Sequence, residues 1–221
     1  MDAIEKSNRS EELPSIYLVE DDTSLADSLK TLLDYLDNRC TVFNSGEDFI
    51  NAFTKSEAIQ SGEGCIICDI RLPGMSGVEV FNKLKKEYPK SVWEIILITG
   101  HGDVNIAVEA MQNGAFDFIA KPFDPYLLIE KISTAVSLSN ANKAKRDYCI
   151  SYDDRKKTLS KQEDLVMTMI LKLIPNREIA EKLNISTRTV EVHRSNVFKK
   201  MVVNSAVELS LLQERYQLWN R

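Results

Sequence analysis

From Ser15 to about Leu138, short apolar runs alternate with segments whose apolar residues recur at helical spacing. The runs are SIYLV, TVF, CIICDI, WEIILIT and FDFIA; the segments that follow them are SLADSLKTLLDYL, GEDFINAF, GVEVFNKLKKEY, VNIAVEAMQNG and PYLLIEKISTAV. Five strand-helix pairs result. The central runs are almost wholly apolar, as strands covered by helices on both faces must be. The pattern therefore predicts an α/β domain over residues 15–138 with a parallel, doubly wound sheet. In such sheets ligand chemistry collects at the carboxyl ends of the strands.

A polar stretch, SLSNANKAKRDYCISYDDRKK, interrupts the pattern. Residues 139–157 are read as a linker that extends the last helix, since NANKAKRD holds helix formers while SYDDRKK has little to bury. Residues 158–221 form a second, all-helical domain: SKQEDLVMTMILKLI, NREIAEKL, STRTVEVHRSNVFKKM and SAVELSLLQERYQLW. Ser160 with Glu163 and Ser205 with Glu208 have capping-box spacing, and Asn176 and Ser186 read as N-caps. Asn184 suits the left-handed position that stops a helix, so NREIAEKL and TRTVEV flank a tight turn.

Composition changes this picture little. Hydrophobic residues at 43% and charged residues at 28% are ordinary globular usage, which argues against disorder or a fibrous repeat. No apolar run is long enough to span a bilayer, and the N-terminal MDAIEKSNRSEELPS is polar, so the expectation is a cytoplasmic protein without a membrane partner. Four cysteines are then expected as reduced thiols. Charge is more informative, because the net −5 is unevenly spread. Residues 1–150 carry 15 basic against 24 acidic side chains, net −9, and residues 151–221 carry 13 against 9, net +4. A basic C-terminal part suggests a polyanionic partner.

The candidate chemistry lies at predicted strand ends. Glu20 and Asp21 follow IYLV, with Asp22 next, and Asp69 follows CIIC. Clustered carboxylates either raise a pKa or hold a hard cation, and oxygen ligands without a nearby histidine favour Mg²⁺. Thr99 ends IILIT and Lys121 follows FIA. A hydroxyl donor and an ammonium both suit a phosphoryl group.

These residues carry a resemblance. The pair Glu20-Asp21 within E-D-D, Asp69 followed by LPGMSG, Thr99 thirty residues on, and Lys121-Pro122 after FDFIA resemble the receiver domain of two-component response regulators. The resemblance implies a five-stranded sheet in the order 2-1-3-4-5. It implies that Asp69 accepts phosphate from a sensor histidine kinase, with Mg²⁺ held by Glu20, Asp21, Asp69 and the Arg71 carbonyl, and with Lys121 balancing the phosphoryl charge. By the same pattern Thr99 and Phe118 form a switch, and Lys121-Pro122 is cis. Val104–Asn113, Phe116–Ala120 and Pro125–Val136 are then the changing surface, a dimer face on phosphorylation. Arg71, two after Asp69, and His101, two after Thr99, stand where side chains can obstruct or assist an attacking water and so set phosphate lifetime.

Residues 159–209 resemble the LuxR-type helix-turn-helix domain, through L-S-x-x-E, P-N-x-E-I-A, I-S-x-x-T-V-E-x-H-x-x-N-V, K-x-M and A-x-E-L. With GHGDV and KPF, the whole chain is similar to the FixJ-like subfamily. Glycine is common in the family at Leu173, Asn184 and Val202; Leu173 leads us to expect that the first helix ends differently here. On Thr187–Met201, Val190, Val197, Met201 and His193 share one face, and Arg188, Glu191, Val192, Ser195 and Lys199 the other. One face packs while the other can enter a major groove. Arg188 can pair with guanine, Val192 can touch a thymine methyl and Glu191 can accept from cytosine. Thr187, Thr189, Arg194 and Lys200 are placed for phosphates. His193, on the packing side, reads as a core or capping residue.

The chain is thus expected to be a phosphorylation-dependent transcriptional regulator, most simply an activator. Its partners are then a sensor histidine kinase, promoter DNA, RNA polymerase and a second copy of itself. It would not be an enzyme beyond self-catalysed phosphoryl acceptance and autodephosphorylation. An aspartyl-phosphate phosphatase would need a carboxylate where Arg71 stands, and a signalling adaptor would use the helical tail to bind protein. Cys65 and Cys68 look like a Cys-x-x-C pair. Side chains alternate along a strand, so these two point to opposite faces and pack rather than react.

Overall fold

The computed structural model describes residues 15–36, 39–100 and 104–220; His101 lies outside them. Five strands, β1 (Ile16–Val19), β2 (Cys40–Phe43), β3 (Cys65–Asp69), β4 (Glu94–Thr99) and β5 (Asp117–Ala120), form one sheet in the order β2-β1-β3-β4-β5. Every pairing is parallel. The helices between them are α1 (Thr23–Tyr35), α2 (Gly46–Lys55), α3 (Glu57–Ser61), α4 (Gly77–Glu87), α5 (Val104–Gln112) and α6 (Pro125–Lys157). This is the doubly wound α/β arrangement expected from the alternating pattern, with one short helix, α3, that the apolar spacing did not announce.

Two cores sandwich the sheet. On one face Phe49, Ile50 and Phe53 of α2 and Val80, Phe81 and Leu84 of α4 pack on Ile66, Cys68, Ile95 and Leu97. On the other, Ala26, Leu29 and Leu33 of α1 and Leu128, Ile132 and Ala135 of α6 pack on Cys65, Ile67, Ile96 and Ile98. Cys65 and Cys68 therefore belong to opposite cores, and burial pushes both thiols up, away from the reactive thiolate.

The chain divides into two compact units between Lys143 and Ala144, inside α6. The stretch 139–157, expected as a linker that extends the last helix, is helical throughout and is tied down at both ends. Ser139, fully buried, donates to the Val92 carbonyl at 2.6 Å and accepts from the Gly64 N–H at 2.8 Å. Asn142 donates to Glu94 at 3.2 Å, and Lys143 pairs with Glu63 at 2.6 Å. Further on, Tyr152 is buried in the second unit's core with Val166, Met167, Ile170, Ile179, Val190, Val197, Met201 and Leu209. Its ring stacks on Tyr216 at 4.0 Å, and Tyr148 donates to the Leu212 carbonyl at 2.9 Å. α6 thus supplies Tyr152 to the core of the small domain.

That domain adds α7 (Lys161–Leu171), α8 (Asn176–Leu183), α9 (Thr187–Met201) and α10 (Ala206–Trp219). Ser160 and Glu163 form the expected capping box on α7. At α8 the cap is Pro175, so Asn176 is the first helical residue and makes no cap bond. Ser205 caps α10, but Glu208 accepts from the Asn204 N–H, one residue earlier than a capping box requires. Leu173 corrects the expectation that α7 ends differently: it sits at φ 58, as Asn184 does at 53 and Val202 at 58. All three corners use the left-handed conformation without a glycine.

Candidate functional site

The residues singled out at strand ends converge at the carboxyl edge of the sheet. β1 delivers Glu20, β3 delivers Asp69, β4 delivers Thr99, and Lys121 directly follows β5. Lys121 Nζ lies 2.5 Å from Asp69 Oδ2 and 2.9 Å from Glu20 Oε2. Glu20 is 1% exposed and Asp69 6%. One oxygen from each of Glu20, Asp21 and Asp69 falls within 4.8 Å of the others, an oxygen-only donor set. Asp22 is not part of it: its carboxylate caps α1, accepting from Ser24 and Leu25 N–H.

The electrostatics follow from this packing. Burial raises the Glu20 carboxyl above its usual range, opposed by the Lys121 bond. Burial works to lower the Lys121 ammonium, but the bonds to Asp69 and Glu20 outweigh it and hold it above the usual lysine range. The lysine is therefore a cation at neutral pH, standing between two carboxylates that would otherwise repel.

Backbone geometry fixes Asp69. Its Oδ1 accepts from the Arg71 N–H at 2.8 Å, so Asp69 aims into the loop that carries the Arg71 carbonyl. Gly77, at the start of α4, passes so close that a Cβ there would stand 2.1 Å from the Asp69 carbonyl oxygen. Thr99 is fully buried and donates to the Gly100 carbonyl at 3.1 Å, while its own carbonyl accepts from Lys121 N–H at 2.7 Å. Phe118 is half-buried against the core of Phe81 and Leu97, and Lys121-Pro122 is cis.

On α9 the exposed residues are Thr187, Arg188, Glu191, Val192, Ser195, Asn196 and Lys199, while Val190, Val197 and Met201 are buried. Val192 is 54% exposed. Thr189 is half-buried and joins the cap, its N–H donating to Ser186 Oγ at 3.0 Å. Arg194 lays its guanidinium over the Phe198 ring at 5.5 Å. Lys200 departs from the expected phosphate role, because its Nζ lies 2.6 Å from buried Glu163 and 2.9 Å from the Thr158 carbonyl. That ammonium is occupied inside the domain. His193 is half-buried, and its Nδ1 has no partner among the described residues.

One residue of consequence had no sequence signal. Glu47 of α2 accepts from the Met75 N–H at 2.8 Å and so grips the loop after Asp69. Its spacing from Asp69 belongs to no motif.

Comparison with known proteins agrees with this geometry. Residues 16–133 match the response regulator receiver domain, and residues 157–212 match the luxR family of bacterial regulatory proteins. The chain is 37% identical over 207 residues to the transcriptional regulatory protein FixJ of Bradyrhizobium diazoefficiens, covering 93% of this chain and 97% of that one. It is also 37% identical over 200 residues to the response regulator protein TmoT of Ectopseudomonas mendocina, covering 90% and 88%. Among solved structures, the response regulator StyR aligns over 93% of this chain and all of its own, at 30% identity and a TM-score of 0.83. The chain belongs to the response regulators, as a receiver domain followed by a LuxR-type helix-turn-helix DNA-binding domain.

Proposed function

We propose that the chain is a phosphorylation-switched transcriptional regulator whose phosphoacceptor is Asp69. The observation that carries this reading is the Asp69–Lys121–Glu20 cluster at the carboxyl edge of the sheet. A buried carboxylate with one oxygen on a lysine and the other on a backbone N–H is oriented for in-line attack. The P–N bond of a phosphohistidine on the sensor kinase breaks as a P–O bond to Asp69 forms, and the imidazole leaves with the electron pair. Lys121 balances the charge gathering on the phosphoryl oxygens.

Receiver domains use Mg²⁺ at an acidic pocket, and Glu20, Asp21 and Asp69 with the Arg71 carbonyl fit it, being hard oxygen donors grouped within reach of one ion. Once bound, it supplies neutralisation of the transferring phosphoryl group. The acyl phosphate adds nearly two negative charges beside Asp69. Thr99 is the hydroxyl that answers them by turning from the Gly100 carbonyl, and Phe118 fills the space vacated. The surface over Val104–Asn113, Phe116–Ala120 and Pro125–Val136 then pairs two copies. Arg71 and His101 govern access of water to the acyl phosphate, and so the rate of self-dephosphorylation.

Paired copies present two α9 helices to promoter DNA in the cytoplasm and act on RNA polymerase, most simply as an activator. Arg188, Glu191 and Val192 read bases, while Thr187, Thr189, Arg194, Ser195 and Lys199 hold the backbone. The deciding experiment is labelling with acetyl phosphate and Mg²⁺: the parent takes up phosphate and Asp69→Asn does not. Undiminished labelling of Asp69→Asn would overturn the assignment. Footprinting with and without phosphorylation tests the output.

A further inference from the structure

We infer that Glu47 is a positioning residue for phosphoryl acceptance, holding the Arg71–Ser76 loop in the shape that presents its carbonyl to Mg²⁺; this rests on the reading of Asp69 and Arg71 proposed above. Glu47 lies in the first turn of α2 and its side chain faces solvent. A carboxylate so placed is well hydrated and has no need of a protein partner. Instead it accepts from the Met75 N–H at 2.8 Å.

Two glycines are shaped around that bond. Gly74 has φ 77, and a Cβ on it would stand 2.4 Å from Glu47 Oε1. Gly46 is buried, and a Cβ on it would stand 2.7 Å from the Met75 carbonyl oxygen. The N-terminus of α2 can therefore come against the loop backbone only because Gly46 has no side chain, whereas a Cβ on Gly74 would displace the Glu47 carboxylate itself.

The loop's ends are fixed separately. Arg71 N–H donates to Asp69, Gly77 N–H donates to the Ile70 carbonyl at 3.1 Å, and Ser76 forms a capping box with Glu79. Between them, Leu72 is buried in the core and Met75 packs against it, and Glu47 on α2 adds the bond that fixes the backbone at the Met75 N–H. Charge-assisted bonds to backbone N–H groups are among the stronger ones available at a surface. A metal ligand must be placed within a fraction of an ångström, so loosening its support weakens metal binding without removing a ligand.

The full chain is compared as parent, Glu47→Gln, Glu47→Asp and Glu47→Ala. Two readouts are independent of phosphorylation: Mg²⁺ affinity by calorimetry and amide exchange over residues 71–76. Glu47→Gln keeps an acceptor of the right length without the charge, and should stand between the parent and Glu47→Ala in both. Glu47→Asp keeps the charge but is one methylene short, and should join Glu47→Ala in weakening Mg²⁺ about tenfold and in speeding exchange. The thermal midpoint of all four stays close to the parent's. Parental Mg²⁺ affinity and exchange in both Glu47→Asp and Glu47→Ala overturns the inference, as does a glutamine variant as weak as alanine. Labelling that persists in Asp69→Asn would instead sink the phosphoacceptor reading, leaving the Mg²⁺ result for Glu47 standing.

Discussion

Lys200 on α9 and Glu163 on α7 are joined at 2.6 Å, and this pair fixes how the exposed face of α9 is presented. Glu163 also accepts from the Ser160 N–H, so one carboxylate closes a helix cap and anchors a second helix. The Lys200 ammonium, with the cap bonds, holds its pKa at about 2.

A carboxyl depressed in the folded state stabilises above its unfolded pKa and loses that contribution as pH falls through the folded value. The small domain should therefore lose stability between the ordinary 4.5 and about 2. Trp219 fluorescence in a Trp93→Phe background isolates this domain. Glu163→Gln should flatten the response in that window. Lys200→Met should cost about 2 kcal/mol at neutral pH, because it leaves a buried carboxylate without its cation.

Val202 should be improved by glycine. It is β-branched, sits at φ 58 and is 69% exposed, so Val202→Gly relieves the left-handed penalty with little lost burial. The net gain is about 1 kcal/mol, or a rise of about 4–8 °C in the small domain's midpoint. Leu173→Gly should gain less, since leucine is not β-branched, and Asn184→Gly least. Calorimetric scanning of the three variants gives the order.

Ser139→Ala should destabilise the receiver unit by about 1–3 kcal/mol, by leaving the Gly64 N–H and the Val92 carbonyl without their partner. Trp93, 4% exposed and adjacent to Val92, reports the urea midpoint in a Trp219→Phe background. An unchanged midpoint would mean that this junction contributes nothing to stability.

Lys121→Met should separate metal binding from phosphoryl acceptance. Removing the ammonium leaves Glu20 and Asp69 without their internal counter-ion, so calorimetry should show Mg²⁺ bound at least about tenfold more tightly. Labelling by acetyl phosphate should nevertheless fall, because nothing then balances the phosphoryl oxygens. Weaker Mg²⁺ binding in this variant would show that Lys121 serves mainly to support the site's shape.

The alternating apolar runs made the sheet legible, because parallel strands buried on both faces leave no other pattern. Even the opposed placement of Cys65 and Cys68 follows from counting residues along β3. The strand-end residues were legible for a similar reason: a doubly wound sheet brings Glu20, Asp69, Thr99 and Lys121 to one edge whatever the loops do. What periodicity could not show were polar residues whose partners are distant in the chain. Ser139 reads as one serine in a polar run until Gly64 and Val92 are brought beside it. Lys200 reads as one more basic residue on a DNA-facing helix, since the carboxylate that claims it lies on another element. Tyr152 sat in a stretch too polar to suggest a core, although it contributes a large side chain to one.

The lysine between Glu20 and Asp69 arrives from 101 and 52 residues further along the chain. The grouping of Glu20, Asp69 and Lys121 is therefore a property of the finished sheet. A nascent or clipped chain that has not docked β5 holds the acidic residues without their cation. Those carboxylates then face one another with nothing between them, so the local balance of charge at this edge is set only when the last strand is in place.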